Sequence, residues 1–189
     1  RRLLPGRLAS LAAHARDGGR IACLYKVGAR TAAGARVAGW RVLRIADEMV
    51  VDPGRFDVDG PARSGLRRKL RHAARGGGGV SPPAPTAPPA LAPRMPVLGR
   101  ISRDWARAHG GERGFSMGRF APDYLGAQQI CIAWHRERPV AFASFHVNAR
   151  EWTLDLMRAE AGVPDGTMQA IVASAIAEAA RLGVPRLSL

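Results

Sequence analysis

The side chains best suited to chemistry fall into two groups: one dense run of cations, and a few polar residues set among apolar ones. Pro61–Gly76 carries Arg63, Arg67, Arg68, Lys69, Arg71 and Arg75 and no acid. Guanidinium groups suit phosphate because their forked donors bind it bidentately. The stretch reads as a landing surface for nucleic acid or anionic lipid headgroups; a solvated basic face is the plainer alternative. It holds no aromatic residue, so it offers no stacking platform for single-stranded bases. His14, His72, His109, His135 and His146 show no metal-ligand spacing, and no metal is expected. His146, near the end of an expected central strand, is a candidate general base; a core or surface histidine is the plainer reading. Cys23 and Cys131 each sit inside a β-like apolar run and are expected to be buried free thiols.

These residues need elements to hold them. Leu8, Leu11, Ala12 and Ala15 form a helical stripe over Arg7–Gly18, ended by Gly18–Gly19. Arg20–Val27 and Trp40–Asp52 are expected as strands, with a weak helix over Thr31–Gly39 between them. Ser64–Arg75 is the basic helix, with Leu66, Leu70 and Ala73 on its packing stripe. Residues 76–96 are low-complexity, four glycines and then a proline-rich run. Composition alone reads them as a linker. A helix over Pro96–His109 leads into a glycine-rich loop, Gly110–Phe120, and a helical turn, Pro122–Leu125. Strands follow at Gln129–His135, Pro139–Asn148 and Glu151–Arg158, joined by tight polar turns. Asp165 or Thr167 can cap a buried helix over Thr167–Leu182, which Gly183 ends. Arg186–Leu189 begins another strand.

Composition bounds the rest. The chain has 189 residues, 47% of them hydrophobic, and a net charge of +14, which excludes wholesale disorder. Residues 1–120 hold 23 basic and 8 acidic residues; residues 121–189 hold 6 and 7. No apolar run reaches the roughly 18 residues of a membrane-spanning helix, and no signal peptide is legible at the N-terminus. An antiparallel meander followed by a strand, a buried helix and another strand is an α/β (α+β) order. It suits the GCN5-related acyltransferase fold, in which a helix N-terminus faces the acyl donor's phosphates. The nearest approach to that fold's pyrophosphate signature is Arg107-Ala-His-Gly-Gly-Glu112. It ends on glutamate and precedes the meander, so it reads as a helix-terminating turn.

The longer motifs carry a family resemblance. Gly114-Phe-Ser-Met-Gly-Arg-Phe-Ala-Pro-Asp-Tyr-Leu125, Ala141-Phe-Ala-Ser-Phe145, Leu154-Asp-Leu-Met-Arg158 and Gly166-Thr-Met168 together resemble the phosphatidylglycerol lysyltransferase C-terminal domain, the catalytic part of the multiple peptide resistance factor family. Arg44–Asp52, Asp59–Arg67 and Asp104-Trp105 match further family segments in order. The resemblance spans about residues 20–189. It departs from the family pattern at Ala46, Asp47, Arg71, His72 and Gln169.

The resemblance implies a tandem pair of acyltransferase-like folds, each with a mixed, mostly antiparallel sheet and flanking helices. Residues 1–60 would be the C-terminal part of the first fold. Residues 61–189 would be most of the second, truncated at its C-terminus, where the family's closing motif lies beyond Leu189; a site completed there would leave this chain inactive alone. The glycine–proline stretch would then be a short strand and loop, preferred over a linker because the motifs continue across it. The implied reaction moves a lysyl or alanyl group from aminoacyl-tRNA to a glycerol hydroxyl of phosphatidylglycerol, modifying lipid charge and antimicrobial peptide resistance, with no cofactor. The ester is already activated, so the site must mainly position two substrates and stabilise an oxyanion. Asp155 would receive the α-ammonium of the aminoacyl group and Arg158 would help hold it. In a regular strand, residues three apart face opposite ways, so a bend or the strand end must bring them together; a structural ion pair is the alternative. Gly114, Phe115, Ser116, Gly118, Arg119 and Tyr124 would line a substrate channel, or form a packing turn. Gly166 and Thr167 would join Arg63, Arg67, Arg68, Lys69 and Arg71 in binding tRNA or lipid phosphate, or serve as an ordinary cap.

The implied partners are aminoacyl-tRNA, phosphatidylglycerol and an anionic membrane surface, with an N-terminal transmembrane domain as a candidate partner in the full-length protein. The implied location is cytoplasmic, at the inner face of the cell membrane. Two other readings stand beside this one: an acyl-CoA-dependent N-acyltransferase, and a non-catalytic module binding RNA or anionic membrane through the basic helix.

Overall fold

The computed structural model describes residues 3–25, 27–75, 77–85, 92–112 and 118–189, with the backbone alone at 3–5 and 83–85. Two compact units divide the chain at residues 1–47 and 48–189. The first holds α1 (Leu3–Asp17) and α2 (Ala29–Val37). Leu8 and Ala35 are buried in it. The strand expected over Arg20–Val27 does not form among its described residues. A strand persists only as part of a ladder, and the described residues of this unit contain no sheet for it to join. Ile21 is accordingly 96% exposed, and Cys23, expected to be buried, is exposed.

The second unit is a six-stranded sheet flanked by helices. Its strands are β1 (Val50–Val51), β2 (Gly78–Pro85), β3 (Gln129–His135), β4 (Arg138–Val147), β5 (Trp152–Ala159) and β6 (Leu187–Ser188). The order is β1-β6-β5-β4-β3-β2. All pairings are antiparallel except β5 with β6. The long strand expected over Trp40–Asp52 contracts to Val50–Val51, the two residues that find a partner in β6. The helices are α3 (Ser64–Ala74), α4 (Met95–Ala108), the turn α5 (Pro122–Leu125) and α6 (Thr167–Arg181).

Within the glycine–proline stretch Gly78–Pro85 forms an edge strand, in keeping with the strand that the family resemblance implies, and residues 86–91 lie outside the described residues. Gly78 lies so close to the Ala73 carbonyl that any side chain there would collide with it. That explains glycine where α3 hands over to β2. Pro82, Pro83 and Pro85 sit in a strand that has one neighbour among the described residues, where their missing N–H groups cost no ladder bond on the open side. Ser81 accepts a 2.6 Å hydrogen bond from the Trp134 indole.

Period-two alternation gives the central strands β3, β4 and β5 two apolar faces. Cys131, Ala133, Ala141, Ala143, Phe145 and Trp152 pack with Ile171, Ala175 and Ile176 of α6. Ile130, Ile132, Phe142 and Leu156 pack with Leu98 and Ile101 of α4 and Leu125 of α5. Burial pushes the Cys131 thiol up to about 12, so it stays protonated and serves as core. At the start of α6 neither expected side-chain cap forms. The N-cap is Gly166 at φ 91°, and the Thr167 hydroxyl donates backwards to the Pro164 carbonyl at 2.6 Å.

Candidate functional site

The site sits on the α4 face of the sheet, and a β-bulge creates it. Ala143 pairs with Met157, and Phe145 with Leu154. Two steps along β4 therefore match three along β5. The extra residue lies at Asp155–Leu156 and inverts the facing of the rest of the strand. Leu154 and Met157 both pack toward α6, while Leu156 faces α4. Asp155 and Arg158, three apart, consequently share the α4 face. Ser144 stabilises the irregularity: fully buried, it accepts the Leu156 N–H at 3.2 Å.

Asp155 is surrounded by residues from three other segments. Its Oδ2 accepts from the Gln128 amide at 2.9 Å and lies 3.6 Å from His146 Nε2. The Tyr124 hydroxyl is 3.1 Å from the same imidazole nitrogen, and the two rings meet edge-on. Burial, then the neighbouring Asp155 carboxylate, pushes the Tyr124 phenol up to about 12. It is a donor at neutral pH, not a base. Gly118 closes the site: a β-carbon there would collide with the Asp155 carboxylate. His146 stands at the rim, about half exposed, over a carboxylate that is only 12% exposed.

Arg158 is 3% exposed. Its guanidinium lies 3.8 Å over the Trp105 ring of α4, 3.9 Å from the Glu112 carboxylate, and donates to the Met157 carbonyl at 3.0 Å. Burial lowers its pKa, while Glu112 and Asp155 act to raise it. Its Nε has no hydrogen-bond partner among the described residues. The Arg107–Glu112 segment is the expected helix-terminating turn: Gly110 and Gly111 take positive φ, and the Gly111 N–H returns to the Ala106 carbonyl. The turn also delivers Glu112 to Arg158.

Of the expected site residues, Asp155, Arg158, His146, Tyr124 and Gly118 come together. Gly114, Phe115 and Ser116 lie outside the described residues. Arg119 is exposed and engages Asp123 at 3.0 Å. The basic helix divides. Arg67 donates to the Val58 and Gly60 carbonyls at 3.0 and 2.7 Å, and Arg63 lies over the Phe56 ring. The donors of the one and the face of the other hold the loop before α3. Lys69 pairs with Asp165 at 3.4 Å. Arg68, Arg71 and Arg75 remain exposed. Gly166 is pressed against the Lys69 carbonyl and Thr167 is 6% exposed; both pack α6 against α3, apart from the Asp155 cluster.

Sequence reasoning missed Gln128, Glu112 and Ser144. Ser144 carried a signal, as the one polar residue in Ala141–Phe145. Gln128 carried none. An apolar groove of about 300 Å³, lined by Phe56, Leu66, Leu154, Met157, Met168 and Val172 among others, lies on the α6 side. Its lining contains no titratable side chain. Among the described residues no three His, Cys, Asp or Glu side chains gather as for a metal ion, and no helix is long and apolar enough to cross a membrane.

A mostly antiparallel six-stranded sheet with flanking helices defines an α+β domain of the acyltransferase-like type. The model of one family, described as phosphatidylglycerol lysyltransferase, C-terminal, matches residues 2–189, and the chain belongs to it. The lysylphosphatidylglycerol biosynthesis bifunctional protein LysX of Mycolicibacterium vanbaalenii is 30% identical over 165 residues, 84% of this chain and 15% of its own length. A crystallised C-terminal domain assigned to a lysylphosphatidylglycerol synthetase of Agrobacterium fabrum superposes with a TM-score of 0.84 at 27% identity, over 98% of this chain and 58% of that one. L-PGS of Bacillus licheniformis gives 0.81 at 25%, over 98% and 57%. The chain thus spans little more than half of these solved chains and under a sixth of the mycobacterial relative.

Proposed function

We propose that this chain carries the aminoacyl-handling site of an enzyme that transfers a lysyl group from lysyl-tRNA to phosphatidylglycerol. The observation that carries the reading is the β5 bulge, which sets Asp155, beneath His146 and Tyr124, on the same face as Arg158. Asp155, screened from water and touched by neutral donors, receives the α-ammonium of the aminoacyl group. Arg158, held flat on Trp105, fixes the carbonyl end and faces the developing oxyanion. A glycerol hydroxyl of the lipid attacks the ester carbonyl. His146 takes the hydroxyl proton and returns it to the departing ribose oxygen, so a new ester forms as the tRNA ester breaks and no proton is lost. Tyr124, protonated at neutral pH, orients the imidazole.

The exposed Arg68, Arg71 and Arg75 meet phosphate, and the enzyme works at the cytoplasmic face of the membrane. The chain divides between a first acyltransferase-like fold and a second, and β1 (Val50–Val51) lies in the sheet of the second. The test is transfer of labelled lysine from lysyl-tRNA to phosphatidylglycerol vesicles by the full-length protein. Asp155→Asn should reduce transfer by at least about a hundredfold, with the fold intact by circular dichroism. Labelled lipid formed only from alanyl-tRNA would move the reading to alanyl transfer. Asp155→Asn at wild-type rate would overturn the assignment of the site.

A further inference from the structure

The Arg158–Trp105 contact does not end at the indole. His109 stacks on the same ring, with centroids 4.3 Å apart and planes 12° from parallel. Arg158 Cζ lies 3.8 Å from the Trp105 ring centre. Two planar groups that close to one ring cannot share a face, so guanidinium and imidazole take opposite faces. The result is a three-layer stack from a nearly fully buried cation to an exposed ring. The stack is pinned at its outer end. His109 Nδ1 donates to the Trp105 carbonyl, one helical turn back, at 2.8 Å. This fixes the imidazole parallel to the indole and leaves its outer face to solvent. Neither ring nor hydrogen bond contributes to the core clusters.

A rigid, exposed, flat ring with a cationic group two layers below is a platform for another flat π-system. We propose that the outer face of His109 stacks an unpaired nucleobase, the terminal one of the donor tRNA. This rests on the reading above. If the aminoacyl ester sits at Asp155 and Arg158, the nucleotide that bears the ester must lie beside the guanidinium, and its base lies one sugar away. The stack leads outward from that guanidinium. Base–aromatic stacking tolerates any base and orders a single-stranded end without reading its sequence. The exposed Arg103 of the same helix supplies charge for the backbone, beside Arg107, which pairs with Asp104 at 3.4 Å.

The experiment compares binding of uncharged tRNA ending in CCA with the same tRNA lacking its terminal adenosine. Each is titrated against the full-length wild-type protein, His109→Ala and His109→Phe. Wild type and His109→Phe should prefer the complete end by roughly tenfold or more. His109→Ala should bind both RNAs with equal affinity, at the level of the shortened one. Equal discrimination by wild type and His109→Ala overturns the proposal, as does His109→Phe behaving like His109→Ala. Labelled lysyl transfer by the wild type, measured in parallel, separates the outcomes: transfer without His109-dependent discrimination sinks the stacking site alone. Absence of transfer sinks the reading beneath it.

Discussion

At the scale of single residues, the site depends as much on an absent side chain as on the charged ones. The Asp155 carboxylate is only 12% exposed. Such a group must be compensated, or it neutralises. Gln128, His146 and Tyr124 surround it with polar atoms, and Gly118 backbone occupies the remaining side. A methyl group at 118 must displace either the loop or the carboxylate. Gly118→Ala should therefore leave thermal unfolding within a few degrees of wild type, because Gly118 itself belongs to neither apolar cluster. It should lower kcat/KM for the aminoacyl donor by about a hundredfold, the usual consequence of misplacing a reacting group by about 1 Å. Steady-state kinetics with lysyl-tRNA as the varied substrate measures this. An unchanged kcat/KM would mean that Asp155 does not hold the donor.

At the scale of elements, the β5 bulge is the decisive feature. Its Leu156 N–H lies off the regular ladder in a buried strand and finds the Ser144 hydroxyl instead. Ser144→Ala removes that acceptor and strands a buried donor, at a cost of about 1–3 kcal/mol. Urea unfolding should show a lower midpoint with an unchanged slope. Transfer should fall too, since Asp155 and Arg158 flank the irregularity. Ser144→Ala with wild-type stability would show that the hydroxyl does not hold the bulge.

The same strand shows what sequence could and could not reveal. The three meander strands and α3, α4 and α6 follow from apolar periodicity and glycine stops, and they fall within a residue or two of expectation. Asp155 and Arg158 were identifiable by type and family pattern, but their common facing was not. Period two places them on opposite faces, and only the pairing with β4 reveals the extra residue. Trp40–Asp52 failed for a related reason: apolar alternation marks a capacity to pair, whereas pairing needs a neighbour. Composition alone reads the glycine–proline stretch as a linker, against the strand and loop that the family resemblance implies, because composition does not distinguish a flexible glycine from one forced, as Gly78 is, by close approach to Ala73.

At the scale of the whole molecule, charge separates into cations that hold the fold and cations that face solvent. Residues 1–47 carry ten basic and two acidic residues, and residues 48–189 carry nineteen and thirteen. Within the second unit Arg63, Arg67 and Lys69 are engaged internally, leaving Arg68, Arg71 and Arg75 exposed on and beside α3. If phosphate meets this surface, each contact releases counterions, and the affinity for tRNA falls with salt by about 0.7–0.9 in the log–log slope per phosphate neutralised. Replacing Arg68, Arg71 and Arg75 together with alanine should flatten that slope by about 2 to 3 without altering the urea midpoint. Arg67→Ala should do the reverse. It leaves the slope alone and lowers stability by about 1.5–3 kcal/mol, because a charged donor serving two loop carbonyls is lost. Fluorescence anisotropy of labelled tRNA across a salt series, paired with urea melts, reads both quantities. A slope that survives the triple replacement would assign the electrostatic footprint to cations elsewhere in the chain rather than to α3.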